Sequence, residues 1–248
     1  MHHTSAFHLN ATTQALANVP PVTDDVLAIT NSHYQLNRDL DLVYAATFGA
    51  AITRARLSSP SFRQVTLPEL LPYGGSVLPG SPPLIADYRA NPLRVKALEE
   101  LGLDLSFTAG VADDVYGVIG LSGGFEPMPR GDVFTLRGTA TTTLTVASWS
   151  TLSVTWADTL PAGQYAVVGL VGQSANAIAA RLIFDGQSER PGSVSVNALT
   201  DQIPDMNVKG GLGVWGRFRS TAMPQVQILS DVADTSETIL MDIVRLAG

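Results

Sequence analysis

The chain has 248 residues and no cysteine, which excludes disulfide frameworks, zinc ribbons and thiol catalysis. Charged residues make up only 15% of the sequence, against roughly 25% in typical globular proteins, whereas the hydrophobic fraction is an ordinary 45%. Because charges lie on solvated surface and are depleted at the cores of interfaces, this composition is typical of a subunit that buries surface against neighbours. The net charge of −7 argues against strong direct binding of nucleic acid through its phosphates.

No stretch approaches the ~18 uninterrupted apolar residues of a membrane-spanning helix, so we expect no transmembrane segment. The first residues lack the basic and apolar regions of a secretory signal, so we also expect no signal peptide. The sequence contains neither a Walker loop nor a dinucleotide-binding fingerprint. We therefore expect no cofactor and assign no metal ligands, and the sequence leaves open a calcium ion at one of the acidic loops.

The first 24 residues are polar and lack the periodicity of a helix or a strand. Their apolar residues are scattered, at Phe7, Leu9 and Leu16. Because such a segment cannot form a core alone, it predicts an extended N-terminal arm that lies on a neighbouring subunit or on the partner domain. Phe7, Leu9 and Leu16 are the candidate contact residues of this assembly arm.

Residues 42–57 predict two strands that are separated at Gly49, because β-branched and aromatic residues flank that glycine. Residues 65–67 alternate in polarity as a further strand should. The next segment, 68–92, is so rich in proline and glycine that it predicts a long ordered loop without regular elements. Loops of this length are usually functional or pack on another surface.

One short helix is predicted over residues 92–101. Asn91 suits the N-cap, Pro92 the first helical position, and Gly102 the position just after the last turn. The apolar residues of this segment share one helical face, which predicts a helix that packs against the rest of the domain.

Beyond residue 102 the sequence is typical of strands at ~8–12-residue spacing, which indicates an all-β jelly-roll sandwich or barrel. The predicted strands are 103–108, 114–121, 132–139, 142–147, 152–157, 164–171, 177–184, 193–199, 213–218, 225–229 and 238–244. The Gly- and Pro-rich segment 122–131 is the best candidate boundary. The predicted domains are the arm (1–24), a first β-domain with the Pro-rich loop and the helix (25–125), and a second jelly-roll domain (126–248).

Residues 120–124 match the G-x-S-x-G nucleophile elbow of hydrolases, but the prolines that follow prevent the helix that the elbow requires. The general-base histidine of that fold follows the serine, whereas His2, His3, His8 and His33 all precede it. We therefore interpret the motif as a glycine-rich turn and the first three histidines as part of a solvated tail.

Acidic residues occur in pairs at positions 24 and 25, 39 and 41, 113 and 114, and 231 and 234. Glycosidases need two carboxylates that face each other ~5–10 Å apart. Aromatic residues, which stack on sugars, make up only 7% of the chain. We therefore interpret these acids as turn-capping or solvated groups.

Residues 160–169 (LPAGQYAVVG) and 177–185 (AIAARLIFD) resemble strands of a jelly-roll capsid domain. The whole chain is similar in size and layout to the double jelly-roll major capsid proteins of tailless icosahedral bacteriophages. The resemblance implies two barrels in tandem, trimers with a pseudo-hexagonal footprint and a place in the virion, with minor capsid or membrane proteins as further partners. The first half shows fewer strands than a barrel needs, which leaves open a single jelly roll with an elaborated N-terminal region.

Two other functions remain open on the sequence. One is a β-sandwich module or spike that recognises a carbohydrate or a receptor through its loops. The other is a sandwich-fold glycoside hydrolase that uses a pair of carboxylates. The capsid interpretation predicts no catalytic residue and a self-associating homo-oligomer.

Overall fold

The computed structural model describes residues 2–11, 15–64, 69–70, 85–108 and 113–247. Its regular elements are β-strands apart from two 3-10 helices within these described ranges, Pro60–Gln64 and Asp205–Asn207. The predicted all-β class is therefore confirmed. The chain divides into two compact units. The N-terminal unit comprises Ser5–Gly123, and the C-terminal unit comprises Gly124–Gly248 together with Met1–Thr4.

Eleven described strands build the N-terminal unit. The first residues of the first strand belong to the C-terminal unit. In chain order, the eleven strands are β1 (His2–Ala11), β2 (Ala17–Val19), β3 (Ala28–Thr30), β4 (His33–Gln35), β5 (Leu40–Phe48), β6 (Ile52–Ser58), β7 (Glu69–Leu70), β8 (Ile85–Asp87), β9 (Leu93–Val95), β10 (Glu100–Phe107) and β11 (Asp113–Ser122). One sheet has the order β1-β11-β5-β8, with β9 also on β5. The other has the order β3-β4-β10-β6-β7, with β2 also on β10.

The C-terminal unit repeats this plan with its own strands. They are β12 (Val133–Ala140), β13 (Trp149–Thr151), β14 (Thr155–Trp156), β15 (Gln164–Gln173), β16 (Ala177–Ile183), β17 (Gly192–Val194), β18 (Gly216–Arg219), β19 (Gln225–Ser230) and β20 (Glu237–Ala247). Its sheets have the orders β14-β12-β20-β15-β18 and β13-β19-β16-β17.

Both units have the strand order of a jelly roll. If the eight main strands of a unit are numbered in chain order, one sheet reads 1-8-3-6 and the other reads 2-7-4-5. In the N-terminal unit the second of these eight positions is filled by the short strands β2 and β4, both on β10. Two interlocked Greek keys with this order define the jelly roll. The predicted pair of barrels in tandem is therefore confirmed.

Each strand is half-buried or wholly buried according to its place in the sheet. In β12, Leu136, Gly138 and Ala140 are buried and alternate with exposed residues, as expected for a strand with one solvated face. In β15, by contrast, the run from Tyr165 to Gly172 is buried throughout. Its second face is covered by the loop around Asn207, because a Cβ on Gly169 would lie only 2.7 Å from the carbonyl oxygen of that residue.

The predicted helix over residues 92–101 is wrong. Residues 93–95 instead form β9, which pairs antiparallel with β5, and residues 100–107 form β10. Between them Leu98 has a left-handed backbone with φ of 65°. The Glu99 carboxylate accepts hydrogen bonds from the Ser59 hydroxyl at 3.0 Å and from the Ser61 amide at 3.1 Å. Sheet and side-chain partners from elsewhere in the chain thus override a good local capping pattern.

The prediction that no regular element lies within residues 68–92 is also wrong. β7 pairs with β6 in the register Ala55↔Leu70, and β8 pairs with β5 in the register Ala45↔Ala86. These short strands complete the barrel, for which the sequence of the first half shows too few strands. They lie at sheet edges, where a few residues and one paired side suffice. The predicted strand over residues 65–67 lies outside the described residues.

Most of the other strand predictions are confirmed with shifted bounds. The break near Gly49 separates β5 from β6 as predicted, and the long strands β10, β11, β12, β15, β16, β19 and β20 overlap their predicted segments. Residues 142–145 form no strand, although a strand was predicted over 142–147. The predicted strand over 193–199 shortens to β17.

Candidate functional site

The three predicted arm residues do not share one environment. Phe7 is fully buried in the core of the N-terminal unit, Leu9 packs against that core, and Leu16 is half-buried. The Phe7 ring lies edge-on to Tyr34, 5.1 Å between centroids, and the Tyr34 hydroxyl donates to the Ala6 carbonyl at 2.6 Å. Residues 2–11, expected as part of an extended N-terminal arm, form the first strand of a barrel. That this segment also contacts a neighbouring subunit stays a prediction.

The interpretation of the first three histidines as a solvated tail is wrong. His2 is 1% exposed and lies edge-on to Trp215 in the C-terminal unit, 4.8 Å between ring centroids. Burial, with help from the positive chain terminus and His3, lowers the pKa of His2 to about 3. His2 is therefore neutral at physiological pH. His8 lies in the other unit, where it pairs with the carboxylate of Asp114.

The G-x-S-x-G motif is explained by packing. Gly120 lies on β11 directly against the ring of Tyr44 on β5, and a Cβ at this position would be 1.9 Å from the ring atom Cε1. Ser122 is buried at the end of β11, and residues 123–131 form no helix. The elbow geometry is therefore not built. Residues 120–122 belong to β11, so the interpretation of the motif as a glycine-rich turn is wrong for these three residues.

Most of the acidic pairs fix loops. Asp24 accepts hydrogen bonds from the amides of Val26 and Leu27 at 2.8 and 3.0 Å, which caps the turn before β3. Asp39 accepts from the Ala97 amide at 2.9 Å and pairs with Arg94, and these contacts lower its pKa. These contacts hold the backbone of the two loops in place.

Asp234 and Glu237 form the one acidic pair with opposite pKa shifts among the described residues. Burial pushes the pKa of Asp234 up, but hydrogen bonds from Ser174 and the Thr235 amide outweigh it and lower the pKa. Glu237 is 2% exposed, and neither of its carboxylate oxygens has a hydrogen-bond partner among the described residues. Burial and then the charge of Asp234 raise the pKa of Glu237 to about 7.

Opposed pKa values are what a general acid and its partner need, but this pair lacks access. A catalytic carboxyl must touch the substrate, and Glu237 is enclosed at the start of β20. The burial of Glu237 favours the protonated form of its carboxyl group. Asp234 and Glu237 are not the facing pair in a cleft that the hydrolase alternative requires.

A cleft of about 570 Å³ lies at one end of the C-terminal unit. It is bounded by the start of β15, the turn after β16, the end of β18 and the turn that follows β18. Its lining residues are Gln164, Asp185, Arg217, Phe218, Arg219, Thr221 and Ala222. The charged groups among these lining residues are two guanidinium groups and one carboxylate.

Large apolar side chains are exposed in both units. They are Ile29, Leu98, Phe125, Met128, Phe134, Val146 and Val232. Leu98 is the extreme case at 75% exposed, and Phe134 is 51% exposed at the start of β12. Sequence analysis missed these residues, because a strand pattern alone does not separate an apolar residue in the core from one at the rim.

Within the described ranges, no group of three or more histidine, aspartate or glutamate side chains is placed to hold a metal ion. The described helices include none of the length and apolarity needed to cross a bilayer.

Comparison with known proteins finds solved structures to which the chain is only weakly similar. No protein-family model matches the chain, and no curated protein matches it significantly. The crystal structure of the major capsid protein P2 from bacteriophage PM2 is similar at 10% sequence identity and a TM-score of 0.22, over 98% of this chain and 98% of that chain. At that identity and TM-score, neither fold nor function is inferred from the likeness, and both rest on the strand order and the side chains described above.

Proposed function

We propose that this chain is a structural virion protein, a capsid subunit that assembles with copies of itself. The observation that carries the proposal is the presence of two complete jelly rolls in succession. Jelly rolls are an architecture of viral capsid domains and of lectins. Three chains with two such units each supply six similar blocks, which suits the trimeric, pseudo-hexameric capsomer that the sequence resemblance implies.

The surface chemistry supports self-association. Only 15% of the residues are charged, so few charged groups have to be desolvated when copies meet. Leu98 holds a left-handed backbone conformation, which is unfavourable for a residue with a side chain, and it is three-quarters exposed. Leu98 lies at the tip of the turn between β9 and β10, and its amide donates a hydrogen bond to the Leu36 carbonyl at 2.8 Å, which fixes this apolar tip. A second copy of the chain is the occupant that we assign to this apolar tip.

The acidic charge fits a coat that meets a membrane or an inner protein, because phosphate binding would need a basic surface. We place the protein in the virion, after assembly in the host cytoplasm, with minor capsid or membrane proteins as further partners.

Sedimentation of the purified full chain at micromolar concentration and neutral pH tests the proposal. The expected result is a trimer or a larger species, since stable interfaces bury on the order of 1,200–2,000 Å² each. A stable monomer under these conditions would contradict it. Negative-stain microscopy of the same sample should show ring-like capsomers or shells.

A receptor- or carbohydrate-binding module is the second candidate function, and the cleft of the C-terminal unit favours it. Such a module works as a monomer or small oligomer. A monomer in sedimentation favours the module, whereas ring-like capsomers or shells in negative stain favour the capsid subunit, and neither measurement needs knowledge of the ligand.

A further inference from the structure

The cleft of the C-terminal unit is built where three turns of one jelly roll meet. β15 begins there, β16 ends there, and β18 ends there, so the turns before Gln164, after Ile183 and after Arg219 surround it. Loops at one end of a rigid sandwich are a common place for binding sites. The volume of about 570 Å³ lies within the range of small-molecule sites.

Hydrogen bonds hold the walls of the cleft in place before any ligand arrives. The Ser220 amide donates to the Gly163 carbonyl at 3.1 Å, and the Gly163 amide donates to the Ser220 hydroxyl at 3.3 Å. The Tyr165 hydroxyl donates to the Pro161 carbonyl at 2.9 Å. Tyr165 also stacks on Phe218, 5.6 Å between ring centroids, behind the cleft wall. A preformed site of this kind loses little free energy to ordering on binding.

The two arginines of the cleft differ in whether they have a charged partner. Arg217 pairs with the carboxylate of Glu126. Arg219 is exposed, and its guanidinium has no hydrogen-bond or ion-pair partner among the described residues. An arginine presents a planar fork that matches a carboxylate or a phosphate in two hydrogen bonds. The free fork of Arg219 therefore favours an anionic group on the ligand.

The remaining polar groups favour hydroxyls beside that anion. Asp185 lines the same cleft and, as a carboxylate, accepts hydrogen bonds but repels a second negative charge. Gln164 and Thr221 both donate and accept. Phe218 and Ala222 supply a small apolar surface. A ligand that suits all of these groups carries one anionic group at one end and several hydroxyl groups at the other.

We propose that this cleft binds an acidic sugar, with the sugar carboxylate on Arg219 and the sugar hydroxyls on Asp185 and Gln164. The inference goes beyond self-assembly and does not depend on it, because every lining residue belongs to one unit of one chain. A phosphorylated sugar shares part of this chemistry. The test therefore distinguishes the carboxylate from phosphate.

Ligand-observed NMR on the full chain tests the proposal with four probes: glucuronate, glucose, glucose 6-phosphate and inorganic phosphate. We expect glucuronate to bind, and glucose to bind about tenfold more weakly because it lacks the charged hydrogen bonds. Arg219→Gln should weaken glucuronate binding by about tenfold for the same reason. Arg137→Gln, an exposed arginine on β12 of the same unit, is the matched control and should leave binding unchanged.

Three results would overturn the proposal: no binding of glucuronate, equal binding of glucose and glucuronate, or unchanged binding by the Arg219→Gln variant. Equal binding of inorganic phosphate and glucuronate would also overturn it, because the site would then recognise charge without the sugar. Glucose 6-phosphate binding more tightly than glucuronate would reassign the anion from carboxylate to phosphate. Sedimentation of Arg219→Gln should match that of the unmodified chain, which keeps this test separate from the test of assembly.

Discussion

At the scale of single residues, Glu237 ties the stability of the C-terminal unit to pH. Its folded-state pKa of about 7 lies above the ordinary value of 4.5, so between these values the folded chain holds a proton that the unfolded chain has lost. Stability from this group is therefore present below pH 4.5 and is lost as the pH rises through 7. Above pH 7 the folded state encloses a charge beside Asp234.

We expect Glu237→Gln to have little effect at pH 5 and to stabilise the protein at pH 8 by about 1–3 kcal/mol, the scale of an unsatisfied buried group. Thermal unfolding of both proteins at several pH values measures this. Asp158→Asn, at an exposed carboxylate of the same unit, is the control and should show no such pH dependence. A difference between Glu237→Gln and the unmodified chain that stays constant from pH 5 to pH 8 would contradict the expectation.

Gly120 and Gly123 offer a matched pair of substitutions on the same motif. Gly120→Ala places a methyl group 1.9 Å from the buried ring of Tyr44, whereas Gly123→Ala meets only Leu40 Cδ2 at 3.6 Å, an ordinary contact. We expect Gly120→Ala to lower the free energy of unfolding by about 1–3 kcal/mol or more, through overpacking. Gly123→Ala should change it by less than about 0.5 kcal/mol. Urea denaturation of both variants measures the difference, and equal midpoints would show that the Tyr44 ring yields without cost.

The sequence explains only in part why a glycine stands at position 120. The prolines after Ser122 were enough to reject a nucleophile elbow, because they act locally on the backbone. The reason for the glycine was not accessible, since Tyr44 approaches from a strand more than seventy positions earlier in the chain. The same holds for Arg219, whose place in a cleft depends on the ends of three strands.

At the scale of elements, local signals succeeded for long strands and failed for short ones. β15 has a long apolar run, and β20 is mostly apolar from Ile239 to Val244, so each predicts a buried strand from sequence alone. β9 has three residues behind a proline, and its identity comes from pairing with β5. A three-residue strand carries too little pattern to outweigh a helix cap, so the wrong helix over 92–101 follows from real but local propensities.

The first strand gives the prediction at this scale. Because Phe7 is fully buried against Tyr34, Phe7→Ala should destabilise the N-terminal unit by about 3–5 kcal/mol. Leu16→Ala, at a half-buried position, is the control and should cost about 1 kcal/mol. Equilibrium denaturation of both variants measures these values. A loss of assembly by Phe7→Ala with unchanged stability would instead restore Phe7 as a residue of an arm on a neighbouring subunit.

At the scale of the whole molecule, the sequence predicts the fold class better than it predicts which strands pair with each other. Turn spacing and alternation indicate a sandwich in each half because both signals are local. The jelly-roll order places the first strand beside the last, in β1 beside β11 and in β12 beside β20. These contacts lie about a hundred residues apart, and only the resemblance to double jelly-roll capsid proteins anticipated them.

The exposed apolar residues give the last prediction, which concerns self-association of the full chain. Leu98 and Phe134 are the two most exposed large apolar side chains among the described residues, and one lies in each unit. If copies of the chain meet at either position, an aspartate there must be desolvated in the contact and will weaken it. Leu98→Asp should also keep the fold, since aspartate tolerates the left-handed backbone at this position better than leucine does.

We expect the double variant Leu98→Asp and Phe134→Asp to sediment closer to a monomer than the unmodified chain does. When both proteins are diluted until they dissociate, circular dichroism should give them the same melting temperature. Thr159→Asp adds the same charge at an exposed polar position and should sediment as the unmodified chain does. Assembly that is equally strong in the double variant and in Thr159→Asp would show that neither apolar position lies in a contact between subunits.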